Sequence, residues 1–392
     1  MADRRVDHLL IGGGIASASC ATALREHGAT GSILLVGREL DPPYHRPPIT
    51  KGYLAGRETR EETFIPVPDD VEVLTRTSVM ALDPQAKAVT LSNKETVAYE
   101  TALLATGAMV RRLQVEGAQL QGIHYLRALG NADTLRADAE GRERIVCVGG
   151  SYIGCEVAAT MTTLGRRCTI VMQEDEPLER SFGRRVGAWV RRLLESRGVE
   201  IVGGAEVQRF EGSGDRVERV VLADGRAVEA DVVVCGVGAN PDVMLARKAG
   251  LELGETGGVR CDSRLATGFD GLYAAGDVCE YDSVIHGRRL RVEHEEAAAA
   301  QGRTVAANML GAGQEHLDAP YFWTDLADWA TLEYVGPAEA WDEEVVEGDL
   351  DSGSFSVSYL RDGRLEAFLR VGGFGDIDAA AARIAERRTA DR

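Results

Sequence analysis

The sequence predicts an α/β protein built from two repeated, doubly wound units and a smaller C-terminal α/β domain. Three observations predict it. Residues 9–17, LLIGGGIAS, set a glycine-rich turn between an apolar run and a helical pattern, and residues 145–156, IVCVGGSYIGCE, do so again. Residues 354–373, SFSVSYLRDGRLEAFLRVGG, alternate apolar and polar side chains around an Asp-Gly turn, and DIDAAAARIAERR then takes up helical spacing with an acidic start and a basic end. At 392 residues the chain also exceeds what one hydrophobic core spans, so two or three domains are expected.

In the first unit, DHLLI reads as a strand, GGGIAS as the turn, SASCATALREHG as a helix ending at Gly28, and SILLV as a second strand. Gly12 allows a tight turn. Gly14 lets the backbone approach a pyrophosphate, and the small Ser17 permits close packing of helix on strand. The helix N-terminus then offers free N–H groups and a positive dipole end to an anion. Glu39, just past the second strand, is placed to hydrogen-bond a ribose hydroxyl.

The second unit repeats the logic. RIVCVGGSYIGCEVAATMTTLG is strand, turn and helix, with Gly149, Ser151 and Gly154 at the three glycine positions. Ser151 is a departure: its hydroxymethyl group would either crowd a pyrophosphate slightly or donate to it. RRCTIVMQE is the next strand and ends near Glu174, because Met172 holds the usual place of the ribose-binding acid. Residues 71–107 parallel residues 199–238, each a strand, a β-meander and a strand ending in a glycine turn. Two such units in one chain imply two dinucleotides facing each other, and a flavin and a nicotinamide suit hydride transfer.

Composition narrows the function further. A net charge of −18 disfavours nucleic acid and anionic lipid as partners. No apolar run is long enough for a membrane span. The opening MADRRVDHLLIGGG leads into a strand and turn rather than a signal peptide, so a cytoplasmic protein is expected. Cysteines at 20, 147, 155, 168, 235, 261 and 279 form no CxxC or CxxxxC pair and read as small buried hydrophobes in a reducing compartment, with no metal site.

Five further stretches carry a family resemblance: PPYHRPPITKGYL (42–54), ALLATGA (102–108), GLYAAGDVCEY (271–281), RVEHEEAAAAQGRTVAANMLG (291–311) and YFWTD (321–325). Together with the two glycine turns they resemble the ferredoxin-reductase and apoptosis-inducing-factor branch of the two-dinucleotide flavoproteins, in order and over nearly the whole chain. The resemblance implies two Rossmann-like dinucleotide-binding domains in a glutathione-reductase-like arrangement. An FAD domain would comprise 1–115 and 242–318, an NAD domain 116–241, and a C-terminal α/β domain 319–392. It implies FAD on Gly12, Gly14, Ile15, Ala16 and Ser17, with Arg38, Glu39 and Val79 at its adenosine end. Arg46 and Lys51, the Ala105-Thr106-Gly107 turn with Arg111 after it, and Gly276 and Asp277 complete the FAD set. NADH would lie on Gly149, Ser151, Ile153 and Gly154, with Glu174 repelling the 2′-phosphate of NADPH.

At the flavin ring the resemblance implies a Lys51–Glu156 ion pair beside N5, whose cation stabilises the charge of reduced flavin. Tyr152 is similar to an aromatic that moves aside for nicotinamide, and Gly238 to a glycine that lets nicotinamide approach. Glu293 and His294 fall beside the flavin edge, Glu295 adds negative charge there, and Trp323 resembles a C-terminal tryptophan that approaches the site. Disulfide reductases of this fold keep a cysteine pair near the flavin; the corresponding LDPPYHRPPITKG (40–52) has none. Electrons are therefore expected to leave the flavin directly, for a ferredoxin or rubredoxin. A slowly turning redox sensor and an NADH oxidase are the alternatives. Such a carrier needs a basic patch to dock, either Arg184, Arg185, Arg191 and Arg192 or Arg288, Arg289 and Arg291. A homodimer is possible.

Overall fold

The structure, a computed structural model, describes residues 2–386. Both glycine-rich units form as expected. Strand Arg4–Ile11 lies between Ile33–Val36 and Thr96–Leu104, all parallel, with Glu72–Leu74 outside the second of these and Leu272–Ala274 beside the third. In the second unit, strand Arg144–Val148 lies between Arg167–Val171 and Val232–Cys235, with Glu200–Val202 and Ile123–His124 outside. All five strands are parallel. Four strands of each sheet follow the same chain order. The fifth does not: in the first unit it comes from far downstream (Leu272–Ala274), in the second from just upstream (Ile123–His124). Being covered on both faces, these strands read as continuous apolar runs such as ILLV and VVVC rather than as alternation.

The meanders differ in attachment. Val79–Asp83 and Ala88–Leu91 extend the first sheet antiparallel from Thr96–Leu104, whereas Val207–Ser213, Arg216–Leu222 and Ala227–Glu229 form their own three-stranded sheet. The two passages between the units, Ala108–Val110 and Ala239–Pro241, pair antiparallel with each other.

The C-terminal region is a five-stranded antiparallel sheet in the order Tyr321–Leu326, Ala330–Val335, Arg364–Val371, Ser354–Arg361, Glu343–Asp349. Its expected hairpin turns at Asp362 and Gly363, both with positive φ (50° and 71°), the geometry that matches the strands' twist. Helix Ile377–Ala385 follows, and the Asp376 carboxylate accepts from the backbone N–H groups of Asp378 and Ala379. Arg387 and Arg388, the basic end expected for this helix, lie outside the described residues.

One apolar core fills the first unit. A second runs from the Tyr44–Leu54 loop through the second unit into the C-terminal sheet, so that sheet packs against the helix that follows the second glycine turn. The alanine-rich helix Glu295–Met309 lies against helix Ile15–Glu26 so closely that a Cβ at Gly302 would fall 2.2 Å from the Ala16 carbonyl oxygen.

Candidate functional site

Three helix N-termini meet at one cavity of about 550 Å³: Ile15–Glu26, Tyr152–Thr163 and Glu295–Met309. None of the three has a side-chain cap, so their first N–H groups and positive dipole ends are left to face an anion. The glycines explain how the backbone gets there. Gly12 has φ +125° and a Cβ on it would lie 2.0 Å from the Ala105 carbonyl oxygen; Gly149 has φ +109° and its Cβ would lie 2.3 Å from that of Gly236. These are the same contact in the two units. A Cβ on Gly14 would meet no protein atom. Protein packing therefore does not demand glycine at 14, as expected where a bound group takes the space.

Ser151 resolves its two alternatives by neither. Its hydroxyl donates to the Gly236 carbonyl at 3.2 Å, bridging turn and strand. At the third position Ser17 is fully buried and Gly154 fits against the Gly149 carbonyl, where a Cβ would lie at 1.9 Å. Both serve helix-on-strand packing. Ser17, Arg111, Gly149, Gly154 and Glu174 are thus not in the cavity wall, whereas Gly12, Gly14, Ile15, Ala16, Arg38, Glu39, Arg46, Lys51, Val79, Ala105, Thr106, Gly107, Ser151, Tyr152, Ile153, Glu156, Gly238, Gly276, Asp277, Glu293, His294, Glu295 and Trp323 are. Arg111 is exposed and meets the site only through its backbone N–H, which donates to Gly238. Glu174 pairs with Arg180, away from the cavity.

Five cations line the wall, Lys248 among them, and the other four are each fixed by their own acid. Arg38 pairs with Asp242 at 2.6 Å, Arg46 with Glu39 at 2.6 Å, Arg127 with Asp277 at 3.0 Å and Lys51 with Glu156 at 3.0 Å. Arg46 is the hub: it also donates to the Tyr44 hydroxyl and to the Arg127 carbonyl. Burial pushes the Glu39 carboxyl up, but Arg46's charge and hydrogen bond overrule it and leave Glu39 below the usual range. Glu295 is not a loose charge at the flavin edge. It accepts from His45 Nδ1 at 2.7 Å and from the Arg46 backbone N–H at 2.9 Å, tying the HRPPITK loop to the third helix.

Lys51 and Glu156 come together from residues distant in sequence because Pro47–Thr50 forms a 3₁₀ turn against helix Tyr152–Thr163. Thr50 and Thr324 hydroxyls donate to the two Glu156 oxygens at 2.6 and 2.7 Å. The Glu156 carboxylate is therefore buried with every partner supplied. Beside it, Tyr152 sits edge-on to Phe322 with centroids 5.1 Å apart, and His294 stacks on the same ring at 4.0 Å. Thr50, Thr324, Asp325, Phe322 and Arg127 were not singled out from sequence. Alternation along YFWTD places Trp323 and Asp325 on one face and Phe322 and Thr324 on the other, a signal that could have found three of the five if a strand is assumed. A lone Arg127 carries no such signal.

Burial pushes the His294 imidazole down to about 4 against the opposing charge of Asp277, and burial does the same to His316. Both are neutral at pH 7. The unfolded chain takes up their protons near pH 6.5 while the folded chain resists until about 4, so their contribution to stability is full above 6.5 and declines as pH falls through that window. The melting temperature should therefore drop from pH 6.5 to 4, and His294→Phe, which keeps the stack on Phe322, should flatten that slope. An unchanged slope would show that His294 protonates freely in the folded state.

A cavity that joins two glycine turns, each backed by a parallel sheet and separated by a buried ion pair, defines a dinucleotide oxidoreductase. The chain belongs to the pyridine nucleotide-disulphide oxidoreductase family, whose model matches residues 6–302, and the reductase C-terminal model matches 321–392. It is 37% identical over 366 residues to the ferredoxin–NAD(+) reductase subunit of the benzene 1,2-dioxygenase system of Pseudomonas putida, covering 92% of this chain and 88% of that one. To putidaredoxin reductase of Pseudomonas putida it is 34% identical over 369 residues, covering 92% and 87%. The covalent putidaredoxin reductase–putidaredoxin complex superposes with a TM-score of 0.91 at 32% identity, over 99% of this chain and 94% of that one. The protein is an FAD-dependent NAD(P)H oxidoreductase, with FAD and NADH as its cofactors. FAD, when bound, accepts a hydride from NADH and can release electrons one at a time. The chain's own contribution is to hold, orient and electrostatically bias that chemistry.

Proposed function

We propose that this protein passes electrons from NADH through FAD to a small one-electron carrier of the ferredoxin or rubredoxin type. The observation that carries the reading is the absence of a thiol route. All seven cysteines are buried, none lines the cavity, and burial raises the thiols at 20, 147, 155, 168, 235 and 279. A family whose disulphide-reducing members need a cysteine relay is here left with flavin alone as electron donor.

Within this reading FAD takes the part of the cavity walled by Gly12–Ala16, Arg38, Glu39, Arg46, Val79, Ala105–Gly107 and Asp277. Nicotinamide enters past Tyr152 and Gly238, and Lys51, Glu156, His294 and Trp323 surround the reacting ring. The division into 1–115 with 242–318, 116–241 and 319–392 is supported by the paired crossings at 108–110 and 239–241. Most of the arginines in the two expected basic patches are already paired with acids, leaving Arg185 and Arg192 exposed without an acidic partner among the described residues. Arg288, Arg289 and Arg291 pair with Glu339, Asp282 and Glu293, and Arg184 and Arg191 pair with Asp175 and Glu176. A carrier would meet a mixed-charge surface, so the rate of its reduction should fall only modestly with salt.

The test is an anaerobic NADH titration followed by a panel of acceptors. Bleached flavin should recover rapidly with a [2Fe–2S] ferredoxin or a rubredoxin and slowly with air. A long-wavelength absorbance that persists with every acceptor would instead favour a redox sensor, and fast peroxide formation in air an NADH oxidase.

A further inference from the structure

The Lys51–Glu156 pair has a third member that sequence did not single out. Asp325, on strand Tyr321–Leu326 of the C-terminal sheet, places Oδ2 at 3.6 Å from Lys51 Nζ. That oxygen also accepts from Trp323 Nε1 at 3.1 Å, and Oδ1 accepts from Thr331 Oγ1 at 2.6 Å. Glu156 is fixed: its side chain is 8% exposed and both oxygens are bonded by hydroxyls. Asp325 is 26% exposed and sits at the rim, sharing one oxygen between an indole N–H and the lysine. Lys51 therefore lies between a buried carboxylate and a more exposed one that shares its oxygen, with the Trp323 ring 5.9 Å away.

We propose that Asp325 is a positioning residue for Lys51, through which the C-terminal sheet sets how readily the bound flavin accepts electrons. The proposal rests on FAD occupying the cavity beside Lys51. A cation near the ring favours the electron-rich reduced flavin, and a carboxylate paired with that cation, set farther from the ring, weakens the effect. Asp325 offsets part of the lysine's charge and draws the ammonium toward the rim. Trp323 competes with Lys51 for the same oxygen, so whatever moves the indole also moves the lysine.

The midpoint potential of the bound flavin, measured against a reference dye without NADH or any protein acceptor, tests this separately from the acceptor assignment. Asp325→Asn should raise it by a shift equivalent to about tenfold in the two-electron reduction equilibrium, or about 30 mV. Asp325→Glu should restore the wild-type value. Trp323→Phe leaves Oδ2 to the lysine alone and should shift the potential the opposite way, downward, which keeps the test open if Asp325→Asn folds poorly. In a Lys51→Met background the Asp325→Asn shift should vanish, because Asp325 acts through the lysine. A potential unmoved by Asp325→Asn, a full shift that survives Lys51→Met, or an upward or absent shift in Trp323→Phe would each overturn the proposal.

Discussion

Replacing Lys51 with methionine should slow the bleaching of the flavin by NADH about 100-fold, a loss of about 2.7 kcal/mol of transition-state stabilisation. The ammonium is the one cation in the cavity wall that also reaches Glu156, and its side chain is only 15% exposed, so little water screens it. Methionine keeps the reach and removes the charge. The same change leaves the buried Glu156 carboxylate with only the Thr50 and Thr324 hydroxyls. Breaking one side of a buried pair costs about 3–5 kcal/mol, so the melting temperature should fall too.

The two effects separate in the double variant Lys51→Met/Glu156→Gln. An amide at 156 still accepts from one hydroxyl and carries no unpaired charge, so most of the lost stability should return. The slow bleaching should remain, because the charge that assists reduction is still missing. If instead rate and stability recovered together, Lys51 would be a structural counter-ion and its place beside the flavin ring incidental. Stopped-flow absorbance and a thermal melt on the same three proteins decide between these.

What sequence could show followed the range of the interactions. Gly12 and Gly149 were legible because a strand, a turn and a helix within one window impose the requirement, and the structure places each against the carbonyl that follows the neighbouring parallel strand. The Asp362-Gly363 hairpin was legible for the same reason. Lys51 with Glu156 came only through resemblance, since nothing local in either segment points to the other. Asp325, Thr324 and Arg127 act across domains as single polar residues: alternation along YFWTD sets the faces of the first two but not their partners, and Arg127 has no period or spacing that marks it. The basic patches were legible only in part. Sequence spacing located the arginines, but a chain with 62 acidic and 44 basic residues supplies most of them with partners that lie elsewhere in the chain.

Alanine at Gly12 and alanine at Gly149 should break the enzyme in two different places. At each position the new Cβ would lie within 2.3 Å of a backbone carbonyl oxygen, and at each φ is beyond the range L-residues readily adopt. Neither contact can be relieved by turning a side chain, because Ala105 and Gly236 present backbone. The turn itself must move, and the helix N-terminus it aims moves with it. For Gly12→Ala that helix is Ile15–Glu26, so the protein should purify without yellow colour and regain little on adding FAD. For Gly149→Ala it is Tyr152–Thr163, so flavin should stay bound and remain reducible by dithionite. The NADH concentration needed for half-maximal bleaching should rise at least about 100-fold, since each tenfold is about 1.4 kcal/mol and the displaced turn loses several N–H contacts to pyrophosphate. The first turn would then hold the resident cofactor and the second the reductant. Flavin loss from Gly149→Ala, or unimpaired NADH reduction of it, would reverse or dissolve that assignment.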